Sequence, residues 1–304
     1  MNSNSRLRWL IFIVIALILV LGSMAIINLF YLLKGPLECE VRLEPSTVFT
    51  ASNLNNSYEL YGYVAHALGS VDGETYTNSL EAFELSYKKG FKIFEVDMVL
   101  LKDGTVFCAH DGYEERYGLD KRFRQTSYKE LAGKLYLGKY TPLNGSQLLD
   151  LLDKYKDIHI IADTKYEHIK IIEALVAEAE QKYPSVLDRL IPHISGPCEL
   201  CRMNQIHQFK DYILALYRSR EWDPGRAWCL FCSPTSNEQI AKFVKKCGIS
   251  AVMMQHDQRY TPEFQELLSS VGAVTYVHSL SSPEAIDYFK EREVGVYSDG
   301  FSPN

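Results

Sequence analysis

The chain has 304 residues, with 32 Lys and Arg against 38 Asp and Glu, and its formal net charge is −6. This length allows one large domain or two small ones. Because no basic block follows residue 34, the charge pattern argues against nucleic acid as a partner.

The first feature along the chain is an uncharged stretch of 25 positions, residues 9–33. A spanning helix needs roughly 20 residues, whereas the apolar core of a signal peptide has only about 7–15. We therefore predict an uncleaved membrane anchor within residues 1–34, with a cleaved signal peptide as the alternative. Arg6 and Arg8 precede the stretch and two glutamates follow Lys34. This charge bias predicts a cytoplasmic N-terminus and an extracytoplasmic domain.

The rest of the chain divides into a predicted polar stalk, residues 35–60, and a globular domain, residues 61–304. In the domain, short apolar strand-like runs alternate with amphipathic helical patterns. The eight predicted strands lie within 61–69, 91–100, 158–165, 189–195, 212–218, 248–255, 273–280 and 295–301. Eight strands with helices between them favour a (β/α)8 TIM barrel. A doubly wound open sheet is the alternative, although no glycine-rich dinucleotide fingerprint follows the first strand.

Helical patterns within 77–90, 236–248 and 282–293 each begin near a polar residue that suits a helix N-cap. The predicted caps are Asn78, Asn237 and Ser282.

Polar side chains follow most of the predicted strands. In a barrel, catalytic residues lie at the carboxyl ends of the strands. The polar residues at these ends are His66, Glu95, Asp97, Asp163, His193, His278 and Asp299. They predict a functional site on that face.

The segment 91–111, "FKIFEVDMVLLKDGTVFCAHD", concentrates three of the candidate groups. Glu95 and Asp97 are two residues apart on one strand and therefore face the same way. The "KDGT" sequence predicts a hairpin with Asp103 and Gly104 as its two-residue turn. That register places Asp97 opposite His110, so two carboxylates and a histidine would converge.

Two carboxylates held this close repel each other, and burial increases the cost. A hard divalent cation would offset the repulsion, and oxygen ligands without thiols suit Mg²⁺ or Ca²⁺. Asp163, with Lys165 two residues on, offers a third oxygen ligand from another strand end. The alternative reading is a pair of solvated acids at the rim, beside an unrelated histidine.

Several segments together resemble the glycerophosphodiester phosphodiesterase family, over about residues 63–301. "VAHALG" resembles the family's first-strand histidine motif, and "TNSLEAF" resembles the helix start that usually reads E-N-T. "FEVDMVLLKDGTVFCAHD" resembles the metal and second-histidine segment, which is the most specific of the set. "YTPLNGSQLLDLLDKY" with "IIADTK" resembles the next helix and strand, and "GVYSDGF" resembles the closing strand.

The resemblance implies a metal-dependent barrel that cleaves phosphodiesters such as glycerophosphodiesters, lysophospholipids or envelope polymers. His66 and His110 would be the general acid and base, in an order that the sequence leaves open. Glu95, Asp97 and Asp163 would hold one divalent ion, Mg²⁺ or Ca²⁺.

Further residues are candidates for contact with the phosphate or the rest of the substrate. The resemblance places Lys165 against the phosphate and Asn78 near the site. His193 and His278 end predicted strands, and each is either a substrate contact or an ordinary rim histidine.

Three positions depart from the family pattern. Ala67 replaces the usual arginine after the first histidine, Thr77 replaces the acid of E-N-T, and Asp163 replaces a glutamate. These changes bear on phosphate binding and on the choice of substrate. Two alternatives therefore stay open: a phospholipase D-like hydrolase of lipid head groups, and a non-catalytic envelope binding module on the same fold.

Two C-x-x-C pairs lie in the predicted loops after the fourth and fifth strands. They are Cys198 with Cys201, and Cys229 with Cys232. Four thiolates could bind one structural Zn²⁺, but an extracytoplasmic position favours disulfides. Either bonding scheme would tie the two loops together beside the site.

Overall fold

A computed structural model describes residues 41–164, 166–217, 236–280 and 282–300, together with Trp9 and Gly22. The predicted anchor lies outside these residues except at those two positions. Within the described part of the chain, no helix combines the length and the apolar character that crossing a bilayer requires.

Eight parallel strands form a closed barrel, as predicted. β1 pairs with both β2 and β9, which joins the two ends of the sheet. A short strand, β3, runs antiparallel to β2 and lies outside the closed ring. The strands are β1 (Tyr63–Ala65), β2 (Ile93–Leu100), β3 (Val106–Cys108), β4 (His159–Thr164), β5 (Leu190–Ile194), β6 (Ile213–Ala215), β7 (Ala251–Gln255), β8 (Val274–Leu280) and β9 (Gly295–Ser298).

Helices alternate with the parallel strands and cover the outside of the barrel. Their apolar faces are buried against the strands, as the amphipathic patterns predict. The described α-helices are α1 (Ala51–Asn56), α2 (Tyr58–Tyr61), α3 (Leu80–Lys88), α4 (Tyr128–Leu131), α5 (Gly145–Lys154), α6 (His168–Lys182), α7 (Pro197–Ile206), α8 (Asn237–Cys247), α9 (Pro262–Ser270) and α10 (Pro283–Lys290).

Part of the predicted stalk belongs to the folded domain. Val48, Phe49, Leu54 and Tyr58 are all buried in the hydrophobic core. The Tyr58 hydroxyl donates a 2.6 Å hydrogen bond to the carbonyl of Val294, just before β9. The sequence predicted that the globular part starts at residue 61. In the structure it begins upstream of that residue.

Two of the three predicted N-caps are wrong by one residue. Ser79 caps α3 and Ser236 caps α8, each accepting a hydrogen bond from a backbone amide three residues on. Ser282 caps α10 as predicted. Asn78 and Asn237 are each next to a serine that suits a cap equally well. The side chain of Asn78 is hydrogen-bonded to Asp97 instead.

The predicted register of the β2–β3 hairpin is also wrong by one residue. Met98 pairs with Cys108, and the Leu101 amide donates to the Thr105 carbonyl, so the loop has three residues instead of two. Gly104 takes a left-handed conformation with φ 83°, which is typical of a three-residue hairpin loop. Asp97 therefore lies opposite Ala109, and His110 follows the end of β3.

Candidate active site

Three carboxylates meet at the carboxyl ends of neighbouring strands. Glu95 and Asp97 lie on β2, and Asp163 on β4 is the register partner of Asp97. Oxygens of all three lie within 4.8 Å of one another, and the residues are only 1%, 2% and 6% exposed. The group lies on the face where barrel enzymes carry their catalytic residues.

Glu95 is held at one oxygen and lacks a hydrogen bond at the other. Its Oε2 accepts a 2.7 Å hydrogen bond from the backbone amide of Ala67, which has a left-handed φ of 49°. Its Oε1 is buried and has no hydrogen-bond partner among the described residues. Burial, followed by the charge of Asp97, raises the pKa of Glu95 well above its usual value.

Asp97 is fixed by Asn78 at two points. The Asn78 side-chain amide donates to Asp97 Oδ2 at 3.1 Å, and its carbonyl oxygen accepts from the Asp97 backbone amide at 3.0 Å. Asn78 is fully buried with φ 47°, a conformation that asparagine tolerates better than most residues. The residue predicted to lie near the site thus positions one of its carboxylates.

Asp163 has two neighbours, one that follows β6 and one on β5. The Tyr217 hydroxyl donates a 2.7 Å hydrogen bond to Asp163 Oδ2. His193 Nδ1 lies 3.6 Å from Asp163 Oδ1, and His193 Nε2 lies 3.1 Å from the hydroxyl of Tyr297. His193 is 1% exposed, so it is a buried neighbour of the carboxylates and not a solvent-exposed rim histidine.

His66 lies directly after β1. One of its ring nitrogens faces the carboxylate cluster and the other faces Asp299. Its Nε2 lies 3.8 Å from Glu95 Oε2, and its Nδ1 lies 2.6 Å from Asp299 Oδ1. Burial lowers the pKa of His66, but the hydrogen bond to Asp299 and the charges of Glu95 and Asp97 outweigh it and raise the pKa to about 9. The imidazolium form is therefore favoured near neutral pH.

His110 contacts the same tyrosine ring as His66. The centroid of Tyr76 lies 4.7 Å from that of His66 and 5.3 Å from that of His110, with both contacts edge-to-face. His110 Nδ1 lies 2.7 Å from the carbonyl oxygen of Asp111. A carbonyl only accepts hydrogen bonds, so Nδ1 carries the proton and Nε2 is the basic nitrogen of neutral His110.

These residues fit a single hard cation. The charges of the three buried carboxylates would repel one another when all are ionised, and Oε1 of Glu95 is buried without a hydrogen-bond partner among the described residues. Oxygen ligands suit Mg²⁺ and Ca²⁺, and deprotonation of Glu95 would accompany binding.

Other predicted site residues lie apart from this group or outside the described residues. Lys165, Cys229 and Cys232 are outside them. Cys201, on α7, is disulfide-bonded. His278 is mostly buried beside Tyr217, and burial, followed by the charges of His66 and His193, lowers its pKa to about 4.

Sequence reasoning assigned no role to three residues of the site: Asp299, Tyr217 and Tyr76. Asp299 is among the polar residues that mark the predicted strand ends, but the sequence gives it no partner, and Tyr217 also follows a barrel strand. Tyr76 lies two residues before Asn78, in a segment with no recognisable chemistry of its own.

Comparisons with known proteins place these residues in a family. Residues 70–299 match the model of the glycerophosphoryl diester phosphodiesterase family. No curated protein sequence matches the chain.

Solved structures also resemble the chain. A glycerophosphodiester phosphodiesterase from Thermotoga maritima is 22% identical, with a TM-score of 0.56 over 78% of this chain and 94% of that one. A phosphodiesterase from Oleispira antarctica, solved with its product sn-glycerol-3-phosphate, is 15% identical, with a TM-score of 0.61 over 78% and 92%. A glycerophosphodiester phosphodiesterase from Parabacteroides distasonis is 14% identical, with a TM-score of 0.58 over 79% and 93%. At these identities the structures support the barrel fold.

Proposed function

Because the chain belongs to the glycerophosphoryl diester phosphodiesterase family, whose members are phosphoric diester hydrolases, we propose that it hydrolyses glycerophosphodiesters or lysophospholipids with one divalent cation. The observation that carries the proposal is the cluster of three buried carboxylates beside two histidines that both contact Tyr76. The product complex of the Oleispira antarctica phosphodiesterase supports a glycerol phosphate moiety in the substrate.

The two histidines divide the proton transfers according to their hydrogen bonds. His110 keeps a basic Nε2 and takes the proton from the attacking water or hydroxyl. His66, paired with Asp299, gives a proton to the leaving alcohol oxygen. When bound to Glu95 and the other two carboxylates, a divalent cation would neutralise the charge that develops on the phosphate.

Turnover by the purified full-length chain in detergent tests this function. Glycerophosphodiesters, lysophospholipids and intact phospholipids are incubated separately with Mg²⁺ or Ca²⁺, and the released alcohol is measured. We expect release from the first two classes, and its loss with EDTA. Release from intact phospholipid alone would favour the phospholipase D-like alternative. Cation binding without any release would favour a non-catalytic binding module.

Replacing Asp299 with asparagine should weaken the acid function of His66. The loss of a charged partner lowers the pKa of His66, so its proton is lost at a lower pH. We expect kcat to fall at least ~10-fold, part of the roughly 100- to 10,000-fold that acid–base catalysis contributes. The alkaline limb of the kcat/KM profile should also move to lower pH. The control is Asp72→Asn, which removes the charge of an exposed ion-pair partner of Lys139. It should change neither kcat nor the position of the alkaline limb. An unshifted alkaline limb in Asp299→Asn would contradict the pairing.

We also propose that residues 9–33 anchor the protein, with the barrel outside the cytoplasm. The 25 uncharged positions support this proposal. The protein should remain in the membrane pellet after alkaline carbonate washing, and a protease added to intact cells should digest the barrel. Release by carbonate would contradict the anchor, and protection from the protease would reverse the orientation.

A further inference from the structure

Asp163 differs from the other two carboxylates of the cluster in length. It replaces the glutamate that the family resemblance leads one to expect, so its carboxylate reaches about 1.5 Å less far from the backbone. Its oxygens nevertheless converge with those of Glu95 and Asp97. A short side chain has fewer rotamers from which to reach a cation, so the orientation of Asp163 matters more.

Tyr217 supplies a contact that can fix this orientation. Its hydroxyl donates to Asp163 Oδ2 at 2.7 Å. The phenol is the donor of this bond, so it fixes the position of one Asp163 oxygen and leaves Oδ1 to face the cluster.

The Tyr217 ring is itself held from two further strands. It lies two residues beyond β6, and its centroid is 5.0 Å from that of His278 on β8 and 6.5 Å from that of His193 on β5. Ring contacts from two strands limit the freedom of the phenol to turn away from Asp163.

We propose that Tyr217 is a positioning residue for the cation site, which holds Asp163 in the orientation that binds the ion. The inference rests on the proposed metal site. Outer contacts of this kind typically change metal affinity by roughly 10- to 100-fold when they are removed. Tyr217 would thereby adapt the site to an aspartate in the third ligand position.

Isothermal titration of the EDTA-stripped full-length chain with Mg²⁺ and with Ca²⁺ tests the proposal. Tyr217→Phe is expected to weaken binding about 10-fold or more. The matched control is Tyr276→Phe, which also removes a buried phenol hydrogen bond, the 2.6 Å bond to the carbonyl of Tyr61. It should leave the Kd unchanged. Both variants should lower the melting temperature of the metal-free protein. If the role of Tyr217 were merely structural, Tyr217→Phe would change the melting temperature without changing the Kd.

An unchanged Kd in Tyr217→Phe, or an equal loss of affinity in both variants, would overturn the role of Tyr217. A crystal structure of the wild-type protein with Ca²⁺ gives a second measurement that does not depend on how a variant folds. The phenol should still donate to Asp163 while Asp163 binds the ion, and a phenol turned elsewhere would overturn the inference. Absence of cation binding by the wild-type chain would instead overturn the metal site itself, and this inference with it.

Discussion

Alanine in place of His66 or His110 is expected to lower kcat at least ~100-fold, the low end of what acid–base catalysis contributes. Each substitution removes one of the two groups that exchange protons with the substrate, while the carboxylate cluster and the barrel stay in place. Both rings contact Tyr76, and His66 lies 3.8 Å from Glu95, so both act at the same point of the site.

Steady-state rates with a glycerophosphodiester, measured beside melting temperatures, check this prediction. His159→Ala is the matched control, because His159 begins β4 at the opposite end of the barrel. It should keep the wild-type rate. A near-wild-type rate in either His66→Ala or His110→Ala would eliminate the two-histidine mechanism.

The eight barrel strands could be predicted because burial imposes a visible pattern on each of them. Short apolar runs bounded by polar residues alternate with helical periods, and all eight runs contain an observed strand. The hairpin register could not be predicted in the same way. The "KDGT" sequence fits both a two-residue turn and a three-residue loop with Gly104 in a left-handed conformation. A difference of one residue moved Ala109 opposite Asp97.

Local spacing also predicted the centre of the site but not its surroundings. Glu95 and Asp97 face the same way because they are two residues apart on a strand, and the structure brings them together with Asp163. The partners of these residues come from distant parts of the chain: Asp299 is 233 positions from His66, and Tyr217 is 54 positions from Asp163. Only the closure of the barrel makes them neighbours, so no local pattern shows which residues pair.

Glutamine in place of Glu95 is expected to stabilise the metal-free protein and to abolish its stabilisation by cations. Burial and the charge of Asp97 raise the pKa of Glu95, so the folded protein binds this proton more tightly than the unfolded chain does. The contribution of Glu95 to the free energy of unfolding therefore falls as the pH rises from about 4.3, the ordinary value for glutamate, towards its raised folded pKa. A glutamine side chain has the same shape but does not titrate, so the pH-dependent loss of stability disappears. The substitution also takes one carboxylate ligand, with its negative charge, away from the cation site.

Thermal unfolding near neutral pH, in EDTA and in excess Mg²⁺ or Ca²⁺, measures both effects. The wild-type protein should gain about 2.7 kcal/mol of unfolding free energy when the cation is at 100 times its Kd, whereas Glu95→Gln should gain almost nothing. Glu114→Gln is the control, because Glu114 is also buried but pairs with Arg122 and the amide of Phe123, outside the carboxylate cluster. It should keep the cation-dependent gain. An equal gain in wild type and Glu95→Gln would mean that the cation binds elsewhere. A metal-free Glu95→Gln less stable than wild type would mean that burial of Glu95 beside Asp97 does not limit the stability of the empty site.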